Sequence, residues 1–226
     1  MSETLFDFDY EPDEDAPAPA TQAGKKAKAA HVWERDPYDF YVEPAVATAA
    51  LLTVESFPGV SIDPCCGSGN IVRSMRAAGL MCHGRDIVPR AGQDPADWFL
   101  GRRDFLLDGL PEGARGYSNI ISNPPFYSGK GTEQFIRQAL KHARQKVAVF
   151  TDIKFLAGKA RRLGLYAEHP PARVYVLSPR VSCPPGDVLE AGGKASGGTA
   201  DWIWMVWDTT APHTGTSMFL LGTDEV

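Results

Sequence analysis

The sequence predicts one α/β domain on a doubly wound, mostly parallel seven-stranded sheet, set behind an N-terminal tail. Three observations carry this. Short runs of β-branched and aromatic residues alternate along the chain with stretches of helical period. One such run leads into the glycine-rich turn Pro64-Cys65-Cys66-Gly67-Ser68-Gly69-Asn70, and a helical pattern follows it at once. Another run, Tyr117 to Ser122, stops at Asn123-Pro124-Pro125-Phe126, where neither proline can donate to a sheet ladder. At 226 residues, 43% apolar and 10% aromatic, the chain is long and greasy enough for a sizeable core, which excludes disorder as its general state.

The elements follow in order. Residues 1–30 hold seven acids and three lysines among Ala and Pro, the composition of a disordered tail. Order is expected from about His31-Val32-Trp33. The cluster Tyr38-Asp39-Phe40-Tyr41 precedes Pro44, which suits the first turn of a helix over Ala45–Ser56. That cluster either staples the helix to the core or walls a pocket, and the staple is the simpler reading. Val60–Asp63 reads as a buried strand, and Ile71, Val72, Met75 and Ala78 as one face of a helix closed by Gly79. Met81–Ile87 is the next strand, Asp94–Leu100 a short helix capped by Asp94, and Glu133–Ala143 an amphipathic helix. Gly129-Lys130-Gly131, just before that helix, reads as a mobile spacer. Strands are expected at Lys146–Phe150, Arg173–Leu177 and Trp202–Trp207, with Ser217–Leu221 as one more candidate, and residues 182–200 as a flexible Gly/Pro-rich loop.

Charge is unevenly spread. The net charge is -5, yet residues 141–182 carry nine bases against Asp152 and Glu168. The protein as a whole is not a basic nucleic-acid binder, but this stretch either faces phosphates or is an ordinary solvated face. Cys65, Cys66, Cys82 and Cys183 form no zinc or disulfide pattern and read as free thiols in a reducing compartment. No signal sequence or membrane span is evident, so a cytoplasmic protein without metal is expected.

Two stretches carry chemistry. A strand, a Gly-x-Gly turn and a helix let backbone approach a ligand closely. Asp86, 17 residues beyond Gly69, stands where an acid meets ribose hydroxyls in nucleoside-binding sheets. At the other stretch, the Asn123 side chain and a backbone carbonyl are acceptors, and the Phe126 ring can stack. That set suits a planar amine such as the exocyclic nitrogen of adenine.

Asp63-Pro64-Cys65-Cys66-Gly67-Ser68-Gly69-Asn70, Asp86, Asp104-Phe105 and Asn123-Pro124-Pro125-Phe126 together resemble the amino-methyltransferases of the Rossmann-like class I S-adenosylmethionine fold. In particular they resemble the small DNA adenine-N6 methyltransferases of phages and prophages. The resemblance spans roughly residues 31–210. It implies S-adenosylmethionine as cofactor, with Asp63 by the methionine ammonium and the backbone of Gly67 and Gly69, beside Cys65, close to the cofactor. Asp86 would hold the ribose, Asp104 the cofactor adenine amine, and Ile87 or Phe105 would pack on that ring. Asn123 and the Pro124 carbonyl would bind the target amine within the stiff Pro124-Pro125 corner, and Phe126 would stack on a flipped base. Transfer would then be direct and in-line. Where members carry Tyr-x-Thr-Pro, this chain has Tyr41-Val42-Glu43-Pro44. Tyr41 keeps a cofactor contact, whereas Glu43 is expected to point away from the cofactor's own carboxylate.

The resemblance also implies DNA as partner, in duplex form with the adenine flipped out. The 182–200 insert is too short for a recognition domain, so short-sequence specificity is expected, with Lys154, Lys159, Arg161, Arg162 and Arg180 on phosphates. The same acceptors also suit adenine in RNA or a glutamine side-chain amide in protein. A non-catalytic cofactor-binding module is the alternative of a different class.

Overall fold

The computed structural model describes residues 39–90, 97–111, 116–193, 200–211 and 215–224. The acidic tail and the onset of order near His31 lie outside these residues. Eight strands form one sheet, one more than the seven expected: β1 (Ser61–Asp63), β2 (Cys82–Asp86), β3 (Phe99–Arg102), β4 (Asn119–Ser122), β5 (Lys146–Asp152), β6 (Arg173–Ser178), β7 (Trp202–Asp208) and β8 (Ser217–Gly222). Their order is β3-β2-β1-β4-β5-β7-β6-β8. Only β7 runs antiparallel, against both β5 and β6.

The helices are α1 (Ala45–Val54), α2 (Asn70–Ala77), α3 (Phe105–Asp108), α4 (Lys130–His142), α5 (Lys159–Leu163), α6 (Leu165–Glu168) and α7 (Gly186–Glu190). Alternate strand residues feed two cores. Ile121, Ala148, Phe150, Trp204 and Val206 meet Ala47, Leu51, Ile71 and Met75 of α1 and α2. Ile120, Val147, Val149, Ile203 and Met205 meet Phe135, Ile136 and Ala139 of α4. Both faces of the central strands are thus covered, which is why these segments read as unbroken apolar runs. The indole N–H of Trp204, fully buried, donates to the Ala47 carbonyl at 2.8 Å and ties β7 to α1.

A charged cluster closes the same face. The Glu55 side chain, 2% exposed just past α1, accepts from Lys146 Nζ at 2.5 Å, from the Arg173 guanidinium and from the Tyr175 hydroxyl at 2.9 Å. Burial alone would raise its carboxyl, but these three donors hold it below the usual range.

Three expectations need correction. Phe99–Leu100 belong to β3, not to a helix over 94–100; the Gly84 N–H donates to the Trp98 carbonyl and Phe99 pairs with Gly84, so the sheet claims this β-prone stretch. Asp94 itself lies outside the described residues. Gly129-Lys130-Gly131 is not a spacer: α4 begins at Lys130, Gly129 and Gly131 are buried, and a Cβ on Gly131 would sit 2.5 Å from the Pro125 carbonyl oxygen. Nor is the described part of 182–200 an open loop. Val42 donates to the Pro184 carbonyl, Gly186 donates to the Phe40 carbonyl, and α7 follows. Residues 194–199 lie outside the description. Among the described residues, no helix is long and apolar enough to cross a membrane.

Candidate active site

The strand order reverses between β1 and β4, since β2 and β3 lie to one side and β5 to the other. A crevice opens beyond the C-terminal ends of strands at such a switch point. The two strand ends are tied there: the Ser122 hydroxyl donates to Asp63 Oδ1 at 2.6 Å, and the Cys65 N–H donates to the same oxygen at 3.1 Å.

After β1 the chain turns through Cys66, whose N–H donates to Arg85, while the Gly69 N–H returns to the Cys66 carbonyl. Gly67 and Gly69 have φ of 51° and 91°. A Cβ on Gly69 would lie 2.2 Å from the Trp98 ring, so the turn packs too closely for any side chain. At the end of β2, Asp86 accepts from Gly67 N–H at 2.7 Å and from Val88 N–H at 2.8 Å, one bond on each oxygen. Each oxygen keeps acceptor capacity. Asp104 accepts from Leu107 N–H at 3.1 Å as cap of α3, and Phe105 beside it is buried against Phe135.

Across the pocket stands Asn123. Its Nδ2 donates to the Tyr41 carbonyl at 2.7 Å and to Glu43 Oε2 at 2.9 Å, with Cys183 Sγ at 3.9 Å. Both amide protons face acceptors, which fixes the amide and leaves Oδ1 for a ligand.

One pocket joins these parts. Tyr41, Cys65, Gly67, Asp86, Ile87, Asp104, Phe105, Asn123 and Pro125 all line it. Four expected site residues are not on its wall. Asp63, 2% exposed, lies behind the turn, and Gly69 packs on Trp98. Pro124 is buried in the corner, and Phe126 is half-buried, edge-on to Phe155 with centroids 6.5 Å apart. Tyr127, 37% exposed, lines the pocket instead, its N–H held by Asp39 at 2.6 Å.

The whole arrangement is a parallel-sheet crevice with a glycine turn on one strand end and an acid on the next, and its overall course matches solved structures. The fold is that of the class I S-adenosylmethionine-dependent methyltransferases. No protein-family profile matches the chain. A methyltransferase-fold protein of Pyrococcus horikoshii, provisionally described as an RNA methyltransferase, superposes with a TM-score of 0.52 at 12% identity, covering 73% of this chain and 81% of that one. The modification subunit of a provisionally described type I restriction enzyme from Vibrio vulnificus gives 0.50 at 11% identity, covering 80% and 46%. In sequence, the ribosomal RNA small subunit methyltransferase C of Idiomarina loihiensis is 29% identical over 116 residues, 46% of this chain. That alignment spans 33% of the relative's own length.

Within this methyltransferase fold, several wall residues were not foreseen. Phe40 walls the pocket beside the expected Tyr41, although a staple for α1 is the simpler reading of its cluster in the sequence. Phe40 packs so tightly that a Cβ on Gly186 would sit 1.8 Å from its ring, and the Arg90 guanidinium lies 4.1 Å from the ring centroid. Glu43 points inward onto Asn123, contrary to expectation, because the backbone on either side of it is tied down: the Val42 N–H donates to the Pro184 carbonyl, and the Glu43 carbonyl accepts from Asn70 Nδ2. Burial pushes the Glu43 carboxyl up to about 7 and lifts Asp63 and Asp86 as well. Arg90 lies 3.8 Å from Asp86. Glu43 and Asp86 on the wall, with Asp63 behind the turn, are desolvated carboxyls whose ionised forms a bound cation would favour.

Of the expected phosphate contacts, Arg180 pairs with Asp201 at 2.7 Å and Lys154 lies 3.7 Å from Asp152. Arg161 is half-buried, its Nε donating to the Phe155 carbonyl and its guanidinium 4.3 Å above the Phe155 ring. Lys159 and Arg162 are exposed on α5.

Proposed function

We propose that the protein is an S-adenosylmethionine-dependent methyltransferase acting on the exocyclic N6 amine of adenine in DNA. The observation that carries this reading is Asn123, which lines the same pocket as the glycine turn and Asp86 and whose amide nitrogen is held by Tyr41 and Glu43, leaving its oxygen as the acceptor.

The residues fit the cofactor. The crowded acids suit its positive charges, and the spare acceptor capacity of Asp86 suits ribose hydroxyls. Asp104 accepts from the cofactor adenine amine, and Ile87 and Phe105 pack on that ring. Asp63 acts from behind, by holding the turn and the end of β4 in register. When bound, S-adenosylmethionine supplies an electrophilic methyl on sulfur. The chain's task is positioning and charge stabilisation. An adenine N6 lone pair is delocalised into its ring. Asn123 Oδ1 and the Pro124 carbonyl would accept hydrogen bonds from its two N–H groups and favour a tetrahedral nitrogen whose lone pair is free to attack in line, the surplus N–H proton then leaving to solvent. Tyr127, which lines the pocket where Phe126 packs against Phe155, stacks on the flipped base and offsets lost base stacking.

Incubation of the protein with methyl-labelled cofactor and unmethylated DNA, followed by digestion to nucleosides, tests the reading: labelled N6-methyladenine is expected. Asn123→Ala should lower turnover at least ~100-fold with cofactor affinity changed less than about threefold. Wild-type turnover in that variant would remove Asn123 from the mechanism. RNA is a second reading, favoured by the named ribosomal RNA methyltransferase among the relatives. Parallel labelling of RNA distinguishes the two.

A further inference from the structure

The segment Phe40–Glu43 is stitched into place from several sides. The Val42 N–H and the Phe40 carbonyl bond to Pro184 and Gly186 respectively, and the Glu43 carbonyl accepts from Asn70 Nδ2 at 2.9 Å. The Glu43 side chain, 6% exposed, has no freedom to turn outward, and it reaches the one side chain that the proposed chemistry needs oriented. An isolated asparagine at a strand end rotates readily and presents oxygen and nitrogen alike. Here the Tyr41 carbonyl takes one amide proton and Glu43 takes the other.

We infer that Glu43 is a positioning residue: its carboxylate locks the Asn123 amide with the oxygen toward the pocket, and a cationic ligand tightens the lock by drawing the carboxyl into its ionised form, the proton going to solvent. This rests on the proposed amine-methylating site. A hydrogen bond to an ionised acceptor is stronger than one to a neutral acceptor, so ionisation firms the amide. The groups facing Glu43 bear on that ionisation from each packed element. Arg73 on α2 favours it, Asp63 at the end of β1 opposes it, and Cys183 on the 182–186 segment lies beside the same Asn123 amide. Burial holds the Glu43 carboxyl near 7, where a modest field decides its charge.

The test uses side-chain amide resonances of the ligand-free protein across pH 5 to 9, with Glu43→Gln and Glu43→Ala. In wild type the Asn123 pair should be well dispersed and should titrate with a midpoint near neutrality. Glu43→Gln should keep the dispersion and abolish the titration. Glu43→Ala should collapse the pair toward solvent-exposed values, while the Asn70 pair, held by the Glu43 backbone, stays put in every variant. Adding S-adenosylmethionine to wild type at pH 6.5 should move the Asn123 pair to its high-pH position. In methyl transfer to unmethylated DNA, Glu43→Ala should lose at least tenfold in kcat with little change in cofactor KM, and Glu43→Gln should recover most of that loss. An Asn123 pair that is unaffected by Glu43→Ala, or that titrates identically in Glu43→Gln, overturns the inference. If wild type methylates neither DNA nor RNA, the proposed acceptor fails, while the resonances still decide the role of Glu43.

Discussion

Replacing Gly69 by alanine separates two physical costs at the cofactor turn. Gly69 has φ 91° and ψ 27°, so any side chain there is strained. The new Cβ would also meet the Trp98 ring at 2.2 Å, a distance at which the indole must move. Gly79, at the end of α2, has φ 79° and nothing within 4 Å of its would-be Cβ. Gly79→Ala therefore pays the conformational term alone, about 1–2 kcal/mol. Gly69→Ala carries a similar term plus overpacking of about 1–3 kcal/mol, because Trp98 is wedged against Gly84 and the Cys66 side chain. The expected difference between the two variants is thus about 1–3 kcal/mol. In urea, with a slope of about 2 kcal/mol per molar, the Gly69→Ala midpoint should fall roughly 0.5–1.5 M below that of Gly79→Ala. Cofactor affinity should drop in Gly69→Ala only, since the displaced indole backs the turn. Equal midpoints for the two variants would show that Trp98 yields freely, and the tight packing behind the turn would then carry no energy.

Two further outcomes follow from the charged groups. The Glu55 carboxyl lies below its usual range, so the unfolded chain binds the extra proton; its stabilisation is fully present above the unfolded value of about 4.5 and is lost as pH falls through the folded one. Glu55→Gln should flatten that acid limb and lower stability at pH 7 by about 1–3 kcal/mol, because Lys146 loses its carboxylate partner and Arg173 keeps only Asp208; denaturation series at pH 3 to 7 would show it, and an unchanged acid limb would exclude Glu55 as its source. Lys159→Glu with Arg162→Glu should weaken DNA binding and reduce the slope of log affinity against log salt by roughly 2; a slope equal to wild type would move the docking face away from α5.

The central sheet was legible because its strands are covered on both faces. Runs such as Val147-Ala148-Val149-Phe150 supply apolar residues to both cores and have no polar face to confuse the period. The glycine turn and the diproline corner were legible because backbone geometry constrains residue type locally. β3 was missed because it is four residues long, half-exposed, and interrupted by Gly101 at φ 94°. Its identity as a strand comes from β2 beside it, not from its own pattern. The eighth strand was a candidate only, since Met218, Phe219 and Leu220 are exposed at the sheet edge. Glu43 was misjudged for a related reason. Its orientation depends on Asn123, 80 residues away, and no local period encodes that meeting.

The two halves of the pocket therefore differ in origin. On the proposed reading, the cofactor side lies largely within residues 63–105 and carries its own hydrogen bonds, Cys66 N–H to Arg85, Gly67 N–H to Asp86 and Gly69 N–H to Cys66. The acceptor side exists only when residues 39–43, 123–127 and 183–186 meet, each held by the others through Asp39 to Tyr127, Glu43 to Asn123, and Pro184 to Val42. Contacts so distant in sequence are costly to close and cheap to lose together. A change in any of the three segments thus reaches Asn123, while the glycine turn keeps its own hydrogen bonds. On the proposed function, cofactor binding and methyl transfer would therefore be separable: the first would depend on the glycine turn, the second on a three-way junction in which Glu43 holds Asn123.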